Sequence, residues 1–404
     1  MKTLPQNASV NRVKPWSIMP ERGWVGSMLA LLVLVALIWQ RPALAQDSAV
    51  TIYGRVNLGV VHYAGAGRVP ITREQNLSSR IGFKGTENLG GGLLASFIIE
   101  TGIAADTGDA VFGSRETSVG LEGRLGKIKL GYMLTPLDDL HPIAGPGYVT
   151  NVTNDNLNGF WANGYSNLLT GGTVGNTACT QVAGPNGNTN SFAFDNRAGN
   201  SIRYDTPNWN GWRGATQLAL GEVSTCHAWA SSNKLQYSND RLNAALAYQV
   251  HHNVRGVGLK DQIVMLAAGY QITPSNYVGG YAQSLEYANP GLAKLKQNGF
   301  GLIWRTSLSA ANTMEFAWYH AGAGRGNQTP VFSGVFVGPD TKAELFIIGA
   351  KHIFSKRTEL WMQYATLRNS RRSGYDLGGS LRAGTPETIG AKPQALAFGI
   401  KHDF

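Results

Sequence analysis

Charged side chains in this 404-residue chain recur at alternate positions rather than in blocks. Arg80 and Lys84 share one parity of a short segment, and Arg197, Ser201, Arg203 and Asp205 share one parity of another. Between the two lies a long irregular stretch that carries Asp138, Asp139 and Asp155. Cations on one wall facing carboxylates across a narrow wet gap perform no covalent chemistry; they sort solutes by size, sign and dipole. Catalytic signatures are missing, since neither G-x-S-x-G nor H-E-x-x-H occurs and no phosphate-binding glycine loop follows a strand. The cysteines, Cys179 and Cys226, stand 47 apart and the eight histidines are scattered, so no metal or cofactor site is read from spacing. A hydrolase with Ser, His and Asn on a lipid-facing wall is the enzymatic alternative; it would release fatty acid where a channel passes current.

Opposed rows of charge need an element that turns one side chain in two toward water, and the two-residue period supplies it. Across 50–60, Val50, Ile52, Val56, Leu58 and Val60 fall on one side and Thr51, Tyr53, Arg55 and Asn57 on the other. The segment from Gln394 repeats this, with Leu396, Phe398, Ile400, His402 and Phe404 on a single face that ends on an aromatic. A sheet that is apolar on one side and polar on the other, repeated over most of the chain, suits a barrel closed in a membrane. Composition agrees: 51 glycines, 10% aromatics and a slightly negative mean hydropathy fit strands that give lipid only alternate residues. Inward positions read as Thr, Asn, Ser, Gly and charge, which favours water over a plugged structural or adhesin-type barrel. A secreted soluble β-sandwich is the other alternative, and segments of about ten residues with alternation kept to both ends argue against it.

The N-terminus fits export. Met28–Trp39 is a twelve-residue apolar run, preceded by Lys2, Arg12, Lys14 and Arg22 and followed by Ala43-Leu44-Ala45, which predicts a secretory leader over 1–45 and a barrel domain over 46–404. An N-terminal anchor helix is the competing reading, and Met19 or Met28 are alternative starts. Losing Lys2, Arg12, Lys14, Arg22, Arg41 and Glu21 lowers the formal charge from +10 to about +6. With charged residues at 15% and no basic block, nucleic acid is excluded as a partner.

Short turns at 88–92, 124–126, 207–211, 238–240, 273–276, 309–312 and 355–357 alternate with long connections at 63–75, 135–195, 252–261, 288–298, 322–342 and 369–393. The short ones are read as periplasmic and the long ones as extracellular, giving sixteen strands. A charge facing lipid at mid-depth would cost about 2–4 kcal/mol, so Arg80, Lys84, Arg197 and Arg203 are assigned to the lumen. Strict alternation sets Arg115 with Val119 and Leu121, toward lipid, unless a bulge intervenes; otherwise Glu116 is the inward residue. A connection of some sixty residues after Leu134 is long enough to be functional. In an oxidising compartment Cys179 and Cys226 are disulfide candidates.

Three segments carry a family resemblance: Ser79-Arg-Ile-Gly-Phe-Lys-Gly-Thr-Glu-Asn-Leu-Gly-Gly-Gly-Leu93, Asn200–Gly211 and Phe398-Gly-Ile-Lys-His-Asp-Phe404. With Ser355-Lys-Arg-Thr358 they resemble the Gram-negative general porins, nearest the branch with anion-preferring members. The resemblance implies a sixteen-stranded homotrimeric outer-membrane barrel, a third loop folded into each pore, and passive diffusion of small hydrophilic solutes and ions. It implies that Arg80, Arg115 and Arg197 line the eyelet and that Asp138 and Asp139 mark where the third loop turns inward. It also implies that loop 63–75 latches onto a neighbour, and that Phe398, Ile400, His402 and Phe404 address the barrel-assembly machinery in a membrane of lipid and lipopolysaccharide. One departure stands out: the branch usually has Arg after Leu-Gly in the fifth strand, where this chain has Tyr132.

Overall fold

The computed structural model describes residues 49–65, 69–145, 160–161, 194–195, 197–221, 224–254, 256–289, 291–327, 337–375, 377 and 389–404. The expected leader 1–45, Asp155 and Cys179 lie outside these residues. Asp47–Phe404 form one compact unit.

Eighteen strand segments follow one another: β1 (Ala49–Ala64), β2 (Ile71–Asn76), β3 (Arg80–Gly90), β4 (Leu93–Ala104), β5 (Asp109–Val111), β6 (Thr117–Gly123), β7 (Gly126–Leu134), β8 (Arg197–Asp205) and β9 (Trp212–Leu220). Then come β10 (Trp229–Ser238), β11 (Leu242–His252), β12 (Lys260–Thr273), β13 (Asn276–Tyr287), β14 (Leu295–Ser307), β15 (Asn312–Ala321), β16 (Ala343–Ile353), β17 (Thr358–Asn369) and β18 (Gln394–Asp403). Each pairs antiparallel with its neighbours, and β1 pairs with β18 over Arg55–Ala64, which closes the sheet. The segments β2 and β3 both pair with the same side of β1, and β5 and β6 both pair with β4. Each of these two pairs is one interrupted staff, so the described residues build a closed barrel of sixteen strands.

Closure removes every sheet edge, which is the condition for backbone amides to stay paired in lipid. Alternation is explicit along the last strand, where Leu396, Phe398, Ile400 and Phe404 are exposed and Ala395 and Ala397 are buried. At the edge made by the short turns, Trp209, Trp212, Tyr270, Trp304, Phe354 and Phe404 are exposed. They form one aromatic girdle of the kind that sits at headgroup depth.

Two expectations need correction. The connection expected at 63–75 is mostly strand, because β1 runs to Ala64 and β2 starts at Ile71 with Tyr63 opposite Ile71. The arm left for a latch is six residues, 65–70. The inward face is also not uniformly polar. On β12 to β16, inward positions carry Ile263, Met265, Leu285, Ile303, Leu345 and Ile347, all buried. Aromatic and aliphatic residues of the connections cover them: Phe160, Trp161, Phe194, Tyr375 and Leu377 belong to the same buried cluster. Alternation could show which side chains turn inward, but not that loop residues would return to pack on them.

Candidate functional site

The inward row of β1 sets Tyr53 and Arg55 beside the inward row of β3, with Arg55 opposite Arg80 and Thr51 opposite Lys84. Lys84 Nζ lies 5.0 Å over the Tyr53 ring. Arg80 Nε stands 3.9 Å from Glu100 Oε2 on β4, and Tyr53 donates its hydroxyl to the same oxygen at 3.1 Å. Arg115 Nε hydrogen-bonds the other oxygen, Glu100 Oε1. Arg80 and Lys84 therefore stand where parity assigned them, and Glu100 ties two arginines together.

Arg115 reaches this group because the strand is interrupted. Its amide donates to Glu100 O at 3.0 Å, while the Glu100 amide donates to Glu116 O at 2.7 Å. Two residues thus oppose one, which is a β-bulge, and a bulge re-aims side chains that strict alternation would send outward. Glu116 also stays inside, holding Lys129 Nζ at 3.0 Å and accepting from Ser118 Oγ at 2.9 Å. A second irregularity serves Arg197. Pairing of β7 with β8 shifts between Gly131 and Met133, and Asn200 takes φ 50°. Beyond that shift simple parity fails, and the Arg197 guanidinium stands in the electrostatic field of Arg115, Asp138, Tyr132 and Glu100. Tyr132 is in turn within reach of Arg197 and Arg115, so the residue that departs from the anion-preferring pattern still belongs to the arginine group.

Arg203 does not join that group. It is bound to Asp205 at 2.7 Å and Asp139 at 2.7 Å, and its Nη1 donates to Leu134 O at 3.2 Å. Lys234 Nζ on β10 meets the same Asp139 oxygen at 2.7 Å. Asp139 is thus held between two cations of the wall. Asp138 is buried one residue earlier, beside His141 and Asp195. Burial and the neighbouring Asp195 carboxylate push the Asp138 carboxyl well above its usual range. Burial pushes Asp195 up too, but His141 and the hydrogen bond from Asp138 outweigh it and hold Asp195 below the usual range.

From there the described start of the long connection runs over inward side chains of the far wall. The Leu137 amide donates to Ser232 Oγ at 3.3 Å, Tyr277 OH donates to Ile143 O at 2.7 Å, and Arg305 donates to Pro142 O at 3.1 Å and Gly145 O at 3.2 Å. Tyr281 OH and Gln283 Nε2 both donate to Phe160 O, at 2.6 and 2.9 Å. Arg305 is itself paired with Glu315 at 2.6 Å.

A closed sixteen-stranded barrel with an arginine group on one wall and a loop root on the other invites comparison. The family described as Gram-negative porin matches residues 30–372. This chain belongs to that family. Outer membrane porin protein 32 of Delftia acidovorans is 28% identical over 404 residues, covering 94% of this chain and 99% of that one. Major outer membrane protein P.IB of Neisseria meningitidis serogroup B is 27% identical, covering 82% and 92%. Among solved structures, the anion-selective porin from Comamonas acidovorans superposes with a TM-score of 0.69 at 24% identity, covering 89% of this chain and all of that one. In-vitro folded OmpT of Vibrio cholerae in its trimer form superposes at 0.62 with 12% identity. The porin is an outer-membrane diffusion channel, and its relatives are channels rather than enzymes.

Sequence reasoning set Arg55 and Glu100 on polar faces without assigning them to the site, and passed over Lys234, Arg305 and Glu315. Each sits on the inward parity of its strand, so the period that singled out Arg80 could have found them. Asp195 had no such signal, since it lies two residues before β8 and is set by the fold.

Proposed function

We propose that this porin passes small anions in preference to cations, and that four arginines set the preference. The carrying observation is the gathering of Arg55, Arg80, Arg115 and Arg197 into one mutual electrostatic field. Glu100 stands among them, and Asp403 pairs with Arg55 at 2.8 Å. Among the described residues, these four guanidiniums and Lys84 stand against Glu100, Asp403 and the Asp138 and Asp195 carboxylates that Arg197 faces, which supports a net positive wall that favours anions in a narrow water-filled passage. The anion selectivity of the similar Comamonas acidovorans porin supports this reading. The loop acids oppose this charge weakly, since Asp139 is paired with Arg203 and Lys234, and Asp138 is buried beside His141 and Asp195. Lys84 adds to the positive rim, and Asp155 belongs to the same loop outside the described residues.

The proposal extends to assembly. The chain is exported by a leader cleaved after Ala45, and its mature barrel forms a homotrimer, as the trimer form of the Vibrio cholerae relative supports. The third loop folds into the lumen and narrows it; contacts of Leu137–Gly145 and Phe160 with Ser232, Tyr277, Tyr281 and Arg305 support that path. Cys226 is disulfide-bonded and Cys179 is the chain's other cysteine, which supports a bridge from that loop to the connection after β9. Phe398, Ile400, His402 and Phe404 form the outward strip addressed to the barrel-assembly machinery, with lipid and lipopolysaccharide around the finished barrel. Recording in planar bilayers under a salt gradient tests the central claim: stepwise conductance with an anion-selective reversal potential is expected, and a cation-selective reversal potential would refute it.

A further inference from the structure

We propose that Asp138, His141 and Asp195 bind one first-row divalent cation, which clamps together the two ends of the connection between β7 and β8. These residues each offer a ligand atom, and the three atoms lie within 4.8 Å of one another. His141 Nε2 stands 3.1 Å from Asp195 Oδ1 and 3.8 Å from Asp138 Oδ1. A tetrahedral cation with bonds of about 2.0–2.1 Å holds its donors about 3.3 Å apart, and the two observed separations bracket that spacing. The third separation, between the two carboxylates, lies within 4.8 Å.

An independent feature points the same way. Asp138 is 7% exposed; its carboxyl meets that of Asp195, and no other donor among the described residues reaches its buried Oδ2. Two further polar atoms of the same neighbourhood are buried without a partner among the described residues: Thr135 Oγ1, one turn before Asp138, and Nε1 of Trp161, whose ring centroid lies 4.5 Å from that of His141. Native interiors rarely leave such atoms unpaired, and a group of them marks an occupant. A cation held by three protein groups keeps an open position for water, and that water satisfies neighbouring donors and acceptors. Arg197 also faces both carboxylates and supplies one positive charge. It does not supply a partner for Oδ2. Two carboxylates with one imidazole suit zinc, cobalt or manganese better than calcium or magnesium, which prefer all-oxygen cages.

The consequence is mechanical. Asp138 and His141 lie at the start of the connection and Asp195 at its end, so one ion closes a loop of more than fifty residues onto the barrel wall. Loop closure of this kind removes conformational freedom that backbone hydrogen bonds at either end cannot.

The test uses the full-length protein, purified in detergent, stripped with EDTA and checked for folding by heat-modifiable gel mobility. Co2+ is titrated while visible absorption is followed, and Zn2+ then displaces it. One Co2+ per chain is expected, with a thermal midpoint that rises when Zn2+ is added. His141→Gln and Asp138→Asn should each weaken Zn2+ binding at least about tenfold, the lower bound seen even for groups that only orient a ligand. His352→Gln, on an exposed residue bonded to Asn312, should bind as the parent does. If only one of the two site variants folds, that one decides. Absence of a stoichiometric cobalt band, or Zn2+ affinity unchanged in the site variants, would overturn the proposal; the second result would assign the metal to other histidines or to bound lipid.

Discussion

Replacing Arg80 by alanine is the sharpest test of the positive wall, because it removes charge without stranding its partner. Glu100 keeps its hydrogen bond from Arg115 and its 3.1 Å bond from Tyr53, so no buried carboxylate is left unpaired. Arg80 stands 3.9 Å from Glu100 and its side chain is 24% exposed, so an ion in the lumen feels it through water rather than through protein. At about 5 Å in a dielectric near 80, a unit charge contributes about 0.8 kcal/mol, and screening at 0.1 M salt reduces this to about 0.5 kcal/mol. Anions lose that stabilisation and cations gain it, so the permeability ratio should fall about fivefold. Under a tenfold salt gradient, a drop in anion-to-cation ratio from about 10 to about 2 moves the reversal potential by roughly 30 mV. Glu100→Gln removes the opposing charge and should move it the other way. A shift below about 5 mV in Arg80→Ala, or the same sign of shift in both variants, would refute the arginine argument while leaving the channel intact.

Three further outcomes follow from the packing. Asp139→Asn deprives Lys234 and Arg203 of their shared carboxylate, although Arg203 keeps Asp205; after allowing for the partial exposure of Asp139, a loss of about 2 kcal/mol at the loop root is expected, read as noisier open-channel current and faster proteolysis of the third loop. Gly399→Ala should weaken barrel closure, since a Cβ there meets the Trp361 ring and Leu58 O, both at 2.3 Å; overpacking of this kind costs about 1–3 kcal/mol, measured as a lower urea midpoint for loss of the folded gel band. Trp361→Phe removes the 2.8 Å bond from Nε1 to Asn57 Oδ1 and leaves a buried acceptor short of a donor, for an expected loss of about 1 kcal/mol in the same assay.

How much of this was legible in the sequence depends on whether the two-residue period ran unbroken. Along β1, β3 and β18 it did, and Tyr53, Arg55, Arg80 and Lys84 stand where alternation sends them. Arg115 and Arg197 lie on the far side of irregularities, a bulge opposite Glu100 and the shift between Gly131 and Met133. A single inserted residue inverts every later parity, so strict alternation sent Arg115 toward lipid, whereas Arg197 shares the parity of Ser201 and Arg203 in the sequence although a shift lies between them. The length of the first connection was misjudged for a different reason. Residues 71–76 read Ile-Thr-Arg-Glu-Gln-Asn, too polar to look like a membrane strand, yet they pair with Leu58–Tyr63 at the end of β1. Apolar inward positions on β12 to β16 were legible as a pattern. Their purpose depended on Phe160, Trp161 and Phe194, whose packing partners lie a hundred residues away and share no local signal.

That apolar wall bears on how the channel sorts ions. If every inward position were polar, the loop after β7 would have nothing dry to rest on and would have to be held by charge alone. Instead Leu137, Leu140, Ile143, Phe160 and Trp161 belong to one buried cluster with Ile263, Met265 and Tyr281. Burying a side chain of that size contributes roughly 1.5–3 kcal/mol, so a few of them hold the loop root by themselves. The acidic residues beside them are then released from facing the pore: Asp139 is neutralised by two cations, and Asp138 turns to His141 and Asp195. With loop acidity spent on anchoring, the described part of the lumen carries its field on the β1 to β8 side, where Arg55, Arg80, Arg115 and Arg197 gather around Glu100 with Lys84 beside them. The two halves of the barrel thus divide the work, the apolar half holding the loop and the basic half facing the solute. Selectivity should therefore respond to substitutions on β1, β3 and the bulge before β6, and hardly at all to neutralising Asp138.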